Sequence, residues 1–393
     1  MSALRCAAGV STTDAGADSF AEAAARAALG LGGAPADVAV VFAGGPNLAH
    51  AEAGMAAVNE RLSPRAVIGC GAQGVLAEAR EVELGGVAVW AASLGPGAAA
   101  DPFGLEAVPG DGGSVSVRGV PDLDPADALI LLVDPFSFPV EPLLSALAAD
   151  HPGLPVVGGL ASARGDAGTL IGEGGLVETG AVGLALSGVR VAACVSQGAR
   201  PVGPEMAITA GEGNVIHELA GKPAVRRLQE AVAGLEPAER ELAVRGLLLG
   251  LVVDPNKPEY ERGDFLVRGI LSADPESGAL TVGERIRVGQ AVRLQVRDAA
   301  SADEDLAAAL DRGLAELGAP AAGALLFTCN GRGSHMFAEP DHDAGLLDGA
   351  TGRAPAAGFF CAGEIGPVGD RNFVHGFTAT MVLLAPAEVD VME

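Results

Sequence analysis

Apolar residues in this chain gather into short runs that end abruptly on turn formers. Four runs stand out: VAVVFAGGP (38–46), ALILLVDPF (128–136), LLLGLVVDP (247–255) and ALLFTCNGRG (324–333). Runs of this length, closed by Asp, Asn or Gly, read as buried strands. Between them the spacing lengthens to that of helices. NLAHAEAGMAAVNERL (47–62) and VEPLLSALAAD (140–150) carry the helical pattern, and SADEDLAAALDRGLAEL places Leu306, Leu310, Leu314 and Leu317 on one face. Ser301 with Glu304 predicts a capping box at the start of that helix. Pro223 and Glu236 open two further helices, over AVRRLQEAVAGL and PAERELAVRG. The alternation predicts an α/β chain with mixed sheets flanked by helices.

The same map contains a weak repeat of strand, helix, short strand ending in Gly, and a later strand. Its first copy is VVFAGGP, helix 47–62, AVIGC and GGVAVWAASL. The second is LILLVDP, helix 140–150, PVVGG and GAVGLALSG. The third is LLFTCNG, a short helix near 341–348, PAAGFFC and HGFTATMVLL. Diverged repeats of this kind bring equivalent loops to one end of a composite structure.

Composition narrows the function classes. The 393 residues are 49% apolar, which supplies core for two or three domains and excludes a disordered chain. A formal charge of −25, with no basic cluster longer than Arg226-Arg227, leaves nothing to bind a nucleic-acid backbone or an anionic membrane. LLLGLVV at 247–253 is too short to span a bilayer, and the N-terminus lacks a secretory pattern. Five scattered cysteines, at 6, 70, 194, 329 and 361, fit reduced thiols in a cytoplasm; none are spaced as a zinc site, and no cofactor is expected.

Three segments carry candidate chemistry. GCGAQG (69–74) matches a dinucleotide fingerprint, but the next strand, GVAVWAASLG (86–95), ends without the acid such a site needs, so a tight turn is expected. CNGRGSH (329–335) admits two uses. Cys329 with His335 or His375 as base would make a thiol enzyme. Alternatively Gly331 and Gly333 expose backbone N–H groups in a nest, Asn330 adds an amide, and Arg332 pairs with a ligand carboxylate or with a neighbouring acid such as Glu364. His335, Asp341, His342 and Asp343 are metal-ligand types at spacings that match no metal motif. Between the last two strands, Glu364, Gly366, Arg371, Asn372 and His375 form a polar connection suited to a pocket lip.

LLFTCNGRGSHMF, APAAGFFCAGEIGPVGDRNFVHGFTATMVLL and DFLVRGIL resemble the FIST C domain. VIGCGAQGVL, LPVVGGLASAR and AVGLALSGVRVAACVSQGARPVGPEMAITAGEGNVIHELAGKPA resemble the FIST N domain, in the same order. The resemblance implies a bacterial sensory module for small molecules such as amino acids, and it transfers no active site. It divides the chain into an N-terminal segment (1–34), a FIST N-like lobe (35–222) and a FIST C-like lobe (223–393). The expected protein is a cytoplasmic sensor that binds an amino acid or related carboxylate metabolite and signals to a separate partner protein. Its ligand-binding residues are Cys329, Asn330, Gly331, Arg332, Gly333, Glu364, Gly366, Arg371, Asn372, His375 and Asp254, with Glu364 or Asp254 receiving an amine. The rival readings are the Cys329 enzyme and a protein-interaction scaffold without a ligand.

Overall fold

The computed structural model describes residues 4–110, 115–164, 168–172 and 175–387. The chain forms two compact units, one from residues 1–195 and 307–393 and the other from residues 196–306. The lobe boundary read from the sequence, at residue 222, falls within the second unit.

The first unit is three copies of one pattern. The first copy runs β1 (Arg5–Ser11), α1 (Ala17–Leu31), β2 (Val38–Gly44), α2 (Gly45–Leu48), α3 (Ala51–Leu62), β3 (Ala66–Ala72), the hairpin β4 (Val75–Ala77) and β5 (Arg80–Val82), then β6 (Val87–Ser93). The second runs β7 (Ala99–Pro109), β8 (Val115–Arg118), β9 (Ala128–Val133), α4 (Val140–Asp150), β10 (Val156–Leu160), the hairpin β11 (Leu170–Gly172) and β12 (Gly175–Val177), then β13 (Ala181–Ser187). The third opens with β14 (Val189–Ser196) and is then interrupted by the second unit.

That unit contains β15 (Ala199–Glu212), β16 (Val215–Leu219), β17 (Lys222–Pro223), α5 (Ala224–Ala233), α6 (Pro237–Arg245), β18 (Leu248–Val252), β19 (Phe265–Ala273), β20 (Leu280–Val282) and β21 (Ala291–Arg297). The third copy resumes with α7 (Ala299–Leu317), β22 (Gly323–Cys329), α8 (His342–Ala350), β23 (Ala356–Cys361), the hairpin β24 (Gly363–Val368) and β25 (Arg371–His375), and β26 (Ala379–Pro386). Helix α7 begins before the expected box at Ser301, because Asp298 supplies the cap: its Oδ1 accepts the Ser301 N–H at 2.6 Å.

Each copy builds a sheet of the same order: opening strand, last strand, then the two strands of a parallel pair. These are β1-β6-β2-β3, β7-β13-β9-β10 and β14-β26-β22-β23. In every one the central pair is parallel (β2–β3, β9–β10, β22–β23) and the last strand runs antiparallel beside it. Each sheet is then completed by a hairpin from another copy. The second copy lends β11–β12 to the first sheet, the third lends β24–β25 to the second, and the first lends β4–β5 to the third. The exchange closes a ring.

The burial pattern explains why the strands read as continuous apolar runs. In β2, Val38, Val40 and Phe42 join a core shared by all three sheets, while Ala39, Val41 and Ala43 pack on the side of α1 and α3. In β9, Ile130 and Leu132 face the shared core, and Leu129, Leu131 and Val133 pack with α4. Strands covered on both faces lose the polar alternation. Phe42, Phe327 and Phe359 meet in the shared core with ring centroids 5.0–6.3 Å apart. Each copy also repeats one glycine. A Cβ at Gly69, Gly158 or Gly358 would lie 2.0, 1.9 or 1.6 Å from the carbonyl oxygen of Val41, Leu131 or Leu326, so only glycine allows the parallel pair to close.

In the second unit β15 pairs with both β21 and β16, and the order β15-β21-β18-β19-β20-β16 closes on itself with every pair antiparallel. Closure removes the open edges that a small sheet would otherwise expose. The run LLLGLVVDP supplies β18 here, so it belongs to none of the three copies.

Candidate functional site

The loops that follow β3, β10 and β23 meet. The Ser162 hydroxyl accepts the Gln73 N–H at 2.7 Å and donates to the Phe360 carbonyl. The Ser162 N–H reaches Gly71 O, Phe360 N–H reaches Gly74 O, and Ala362 N–H reaches Leu160 O. One residue set from each copy is thereby stitched to the other two. GCGAQG forms part of this junction. Gly69 to Gly71 lie inside β3, and the next element is β4. With no helix after the turn, no helix N-terminus is present to hold a pyrophosphate.

Beside the junction lies Glu364. β22 and β23 run in register with Cys329 opposite Cys361, and the chain then crosses at Ala362 into β24, where Glu364 pairs with Gly159 of β10. Glu364 therefore sits where the third copy leaves its own sheet for the second. It is fully buried. Its Oε2 accepts the Thr378 N–H at 3.0 Å and the Thr378 hydroxyl at 2.8 Å, and the Cys329 thiol hydrogen-bonds the carboxyl. Oε1 meets no N–H or O–H donor among the described residues. Burial raises the Glu364 pKa to about 8, against the opposing pull of the Thr378 bonds, the Arg332 charge and the Cys329 thiol. Neutral pH thus finds this carboxyl mostly protonated.

Cys329, Asn330 and Gly331, where the chain leaves β22, are half-buried. Cys329 N–H donates to Thr378 O, and Asn330 N–H to Cys361 O. The Asn330 Oδ1 is buried without a hydrogen-bond partner among the described residues. The Phe377 ring packs so closely on Gly331 that a Cβ there would lie 3.1 Å from it. Phe377 itself is 48% exposed and held at φ 66°, an unusual backbone for a bulky residue. His375 is buried opposite Glu364 in the β24–β25 register, with Nε2 3.0 Å from Gly366 O.

The remaining expected residues have other positions. Arg332 is fully buried, and its fork grips Asp343 of α8: Nε lies 2.6 Å from Oδ2 and Nη2 2.8 Å from Oδ1. Thr328 also donates to Asp343 at 2.6 Å, and His342 Nδ1 lies 2.9 Å from it. Burial opposes the Asp343 charge, but the Arg332 charge and fork, with His342 and Thr328, hold its pKa well below the usual carboxylate range. The acid partner of Arg332 is thus Asp343 rather than Glu364. The nest at Gly333 already holds a carboxylate of the chain itself, since Ser334 N–H donates to Glu83 Oε1 at 2.6 Å. His335 is exposed on a single 3₁₀ turn. Asn372 ties Val156 N–H and Leu154 O at the start of β10, and exposed Arg371 lies over Phe373. Gly366 packs near Val195 and Thr380. Asp254 is exposed in the second unit and accepts from the Asn256 N–H and side-chain amide.

Two participants were not singled out from the sequence. Thr378, in an unremarkable HGFTAT, fixes Glu364. Glu81, on the lent hairpin, accepts the Asp343 and Ala344 N–H groups at the start of α8. Burial and the Asp343 charge push the Glu81 pKa up to about 7.

A FIST N domain matches residues 37–222 and a FIST C domain residues 224–367. The chain belongs to the FIST family. These domains are known as sensory, ligand-binding modules of signal transduction. An uncharacterized protein of Mycobacterium tuberculosis is 44% identical over 384 residues, covering 97% of this chain and 99% of its own. An uncharacterized protein of Mycobacterium bovis is 42% identical over 394 residues, covering 99% of this chain and 100% of its own. No helix among the described residues of this FIST protein is long and apolar enough to cross a membrane.

Proposed function

We propose that this FIST protein is a cytoplasmic sensor whose ligand carries an amine, an amino acid being the simplest case, and that the amine meets Glu364. The reading rests on one observation: a fully buried carboxyl whose Oε1 has no N–H or O–H donor among the described residues, bonded to a thiol at the start of a half-buried glycine loop. A buried orphan oxygen costs about 1–3 kcal/mol, more when charged, and an ammonium removes that cost. The −25 charge of the chain draws cations towards it. Asn330 Oδ1, on the loop next to Cys329, also lacks a hydrogen-bond partner among the described residues. Ordering of the 329–333 loop and Phe377 by the ligand is the change a separate signalling partner would read.

The thiol-enzyme reading draws less support. The group bonded to the Cys329 thiol is a carboxyl, whereas an activated thiolate needs an electropositive setting. Cys329 is better read as a half-buried side chain that holds Glu364.

A thermal-shift screen of the full chain against amino acids and simple primary amines at pH 7 tests the proposal. A binder raises the melting temperature in step with its concentration. Glu364→Gln should abolish that response while the fold remains. Binding should also release up to one proton, because Glu364 must ionise to pair with the ammonium; titration calorimetry in two buffers reads this. An equal response from wild type and Glu364→Gln would reject the site.

A further inference from the structure

A cavity of about 550 Å³ lies at the seam between the first and third sheets, away from Glu364. It is bounded by the edge strand β1, helix α1, the lent hairpin β4–β5, helix α8 and the start of β23. The equivalent seam between the first and second sheets holds a cavity of about 230 Å³, bounded by β7, the lent hairpin β11–β12 and β3. The two differ in their side chains. Val67, Ile68, Phe103, Val177 and Val182 line the smaller one. Ala7, Ala8, Ala77, Ala344, Ala354 and Ala356 line the larger. One fold thus has a seam with large side chains beside one left open by side chains ending at Cβ. Close packing is the rule in protein interiors, so a maintained opening of this size has the dimensions of a ligand site.

Leu76 and Leu347, both buried, add apolar wall, and Leu29 stands at the rim 83% exposed. Four charged residues complete the lining. Arg26 pairs with Glu78 at 3.3 Å. Arg353 is exposed, and its guanidinium makes no hydrogen bond or ion pair among the described residues; Asp348 lies on the same wall. Arg353, Glu78 and Ala79 all have φ between 51° and 68°, so three of the seven left-handed non-glycine residues among those described line this cavity. Backbone strain of this kind persists where the surrounding structure enforces it and is a pointer to function.

We infer that this cavity is a second binding site, for an amphipathic carboxylate: an apolar acyl chain in the alanine-lined cleft with its carboxylate on Arg353. The chain would fill the cleft and cover Leu29, the exposed apolar side chain at its rim, which is favourable in proportion to the area removed from water. Arg353 supplies a forked donor matched to a carboxylate. Asp348 opposes the same head group, which gives the inference a sign that can be checked.

The experiment measures saturable binding of decanoate, decanol and decyltrimethylammonium to the full chain by titration calorimetry, below their micelle concentrations. Decanoate should bind more tightly than decanol, and decyltrimethylammonium most weakly. Arg353→Asn keeps a residue that tolerates the left-handed backbone; it should weaken decanoate at least tenfold and leave decanol unchanged. Asp348→Asn should strengthen decanoate severalfold. Glu364→Gln should leave decanoate binding intact, which separates this site from the amine site. No saturable decanoate binding, unchanged affinity in Arg353→Asn, or loss of decanoate in Glu364→Gln would each overturn the inference.

Discussion

Replacing Glu364 with Gln should change how stability depends on pH, and by an amount the structure fixes. In the folded protein this carboxyl titrates near 8, against an ordinary value of 4.5. The native state therefore keeps a proton that the unfolded chain releases between those two values. Stability is fully present below about pH 4.5, falls as pH rises through the window, and levels off above 8. A displacement of about 3.5 pK units corresponds to about 5 kcal/mol, of which about 3 are already lost at pH 7. Gln keeps the shape and cannot ionise. Its amide leaves one hydrogen bond imperfect, at about 1 kcal/mol independent of pH. Chemical denaturation of wild type and variant at pH 5, 7 and 9 gives the difference directly, and the shared titrations of Glu81 and other groups cancel in it. The variant should be slightly less stable at pH 5 and more stable by several kcal/mol at pH 9. A difference that stays flat from pH 5 to 9 would refute the argument, because it would mean that Glu364 ionises in the folded protein as readily as in the unfolded one.

Other variants test the frame around the site. Arg332→Met leaves Asp343 charged and buried; it should cost about 3–5 kcal/mol in denaturation, and the double variant Arg332→Met/Asp343→Leu should recover most of that. Ser162→Ala removes the hydroxyl that joins Gln73 to Phe360 and should cost about 1–3 kcal/mol by the same measurement. Thiol labelling of the native protein with iodoacetamide should modify Cys329 first, since Cys6, Cys70, Cys194 and Cys361 are buried, and mass spectrometry of peptides reads the order. Alanine at Gly69, Gly158 or Gly358 should each prevent soluble folding, measured by expression yield and circular dichroism, because a Cβ meets a backbone carbonyl that cannot move aside.

Much of the fold was legible in the sequence where the signal is local. β2, β9 and β22 announce themselves as unbroken apolar runs because both their faces are covered, and the strand-helix-strand order recurs three times around them. The lent hairpins were not legible. Val75 pairs with residues of its own hairpin and with Phe359, and nothing in VLAEAREV names a partner so far along the chain. LLLGLVVDP is a strand as read, but its place in a closed antiparallel ring was not legible, since such an apolar run looks like one in a parallel sheet. Within the candidate site, Cys329 was read in CNGRGSH and Glu364 in the polar connection before the last strand, and the structure brings these two together. The acid that Arg332 pairs with was not legible. Glu364 and Asp343 were both available acids, and only the position of α8, set by Glu81 on a hairpin from another copy, decides between them.

The ring of lent hairpins has a consequence for how the chain is made. Strand β4 is synthesised within the first fifth of the chain, yet Val75 finds Phe359 only after 284 further residues have been added. The first sheet likewise waits for the second copy, and the second for the third. No copy can be finished by itself, so the unit cannot be assembled piece by piece as it leaves the ribosome, and its exposed strand edges need protection until synthesis is complete. Truncation before β23 should leave both the second and the third sheet short of strands, and the hairpin β4–β5 without its partner. The earliest hairpin to emerge is among the last to find its place.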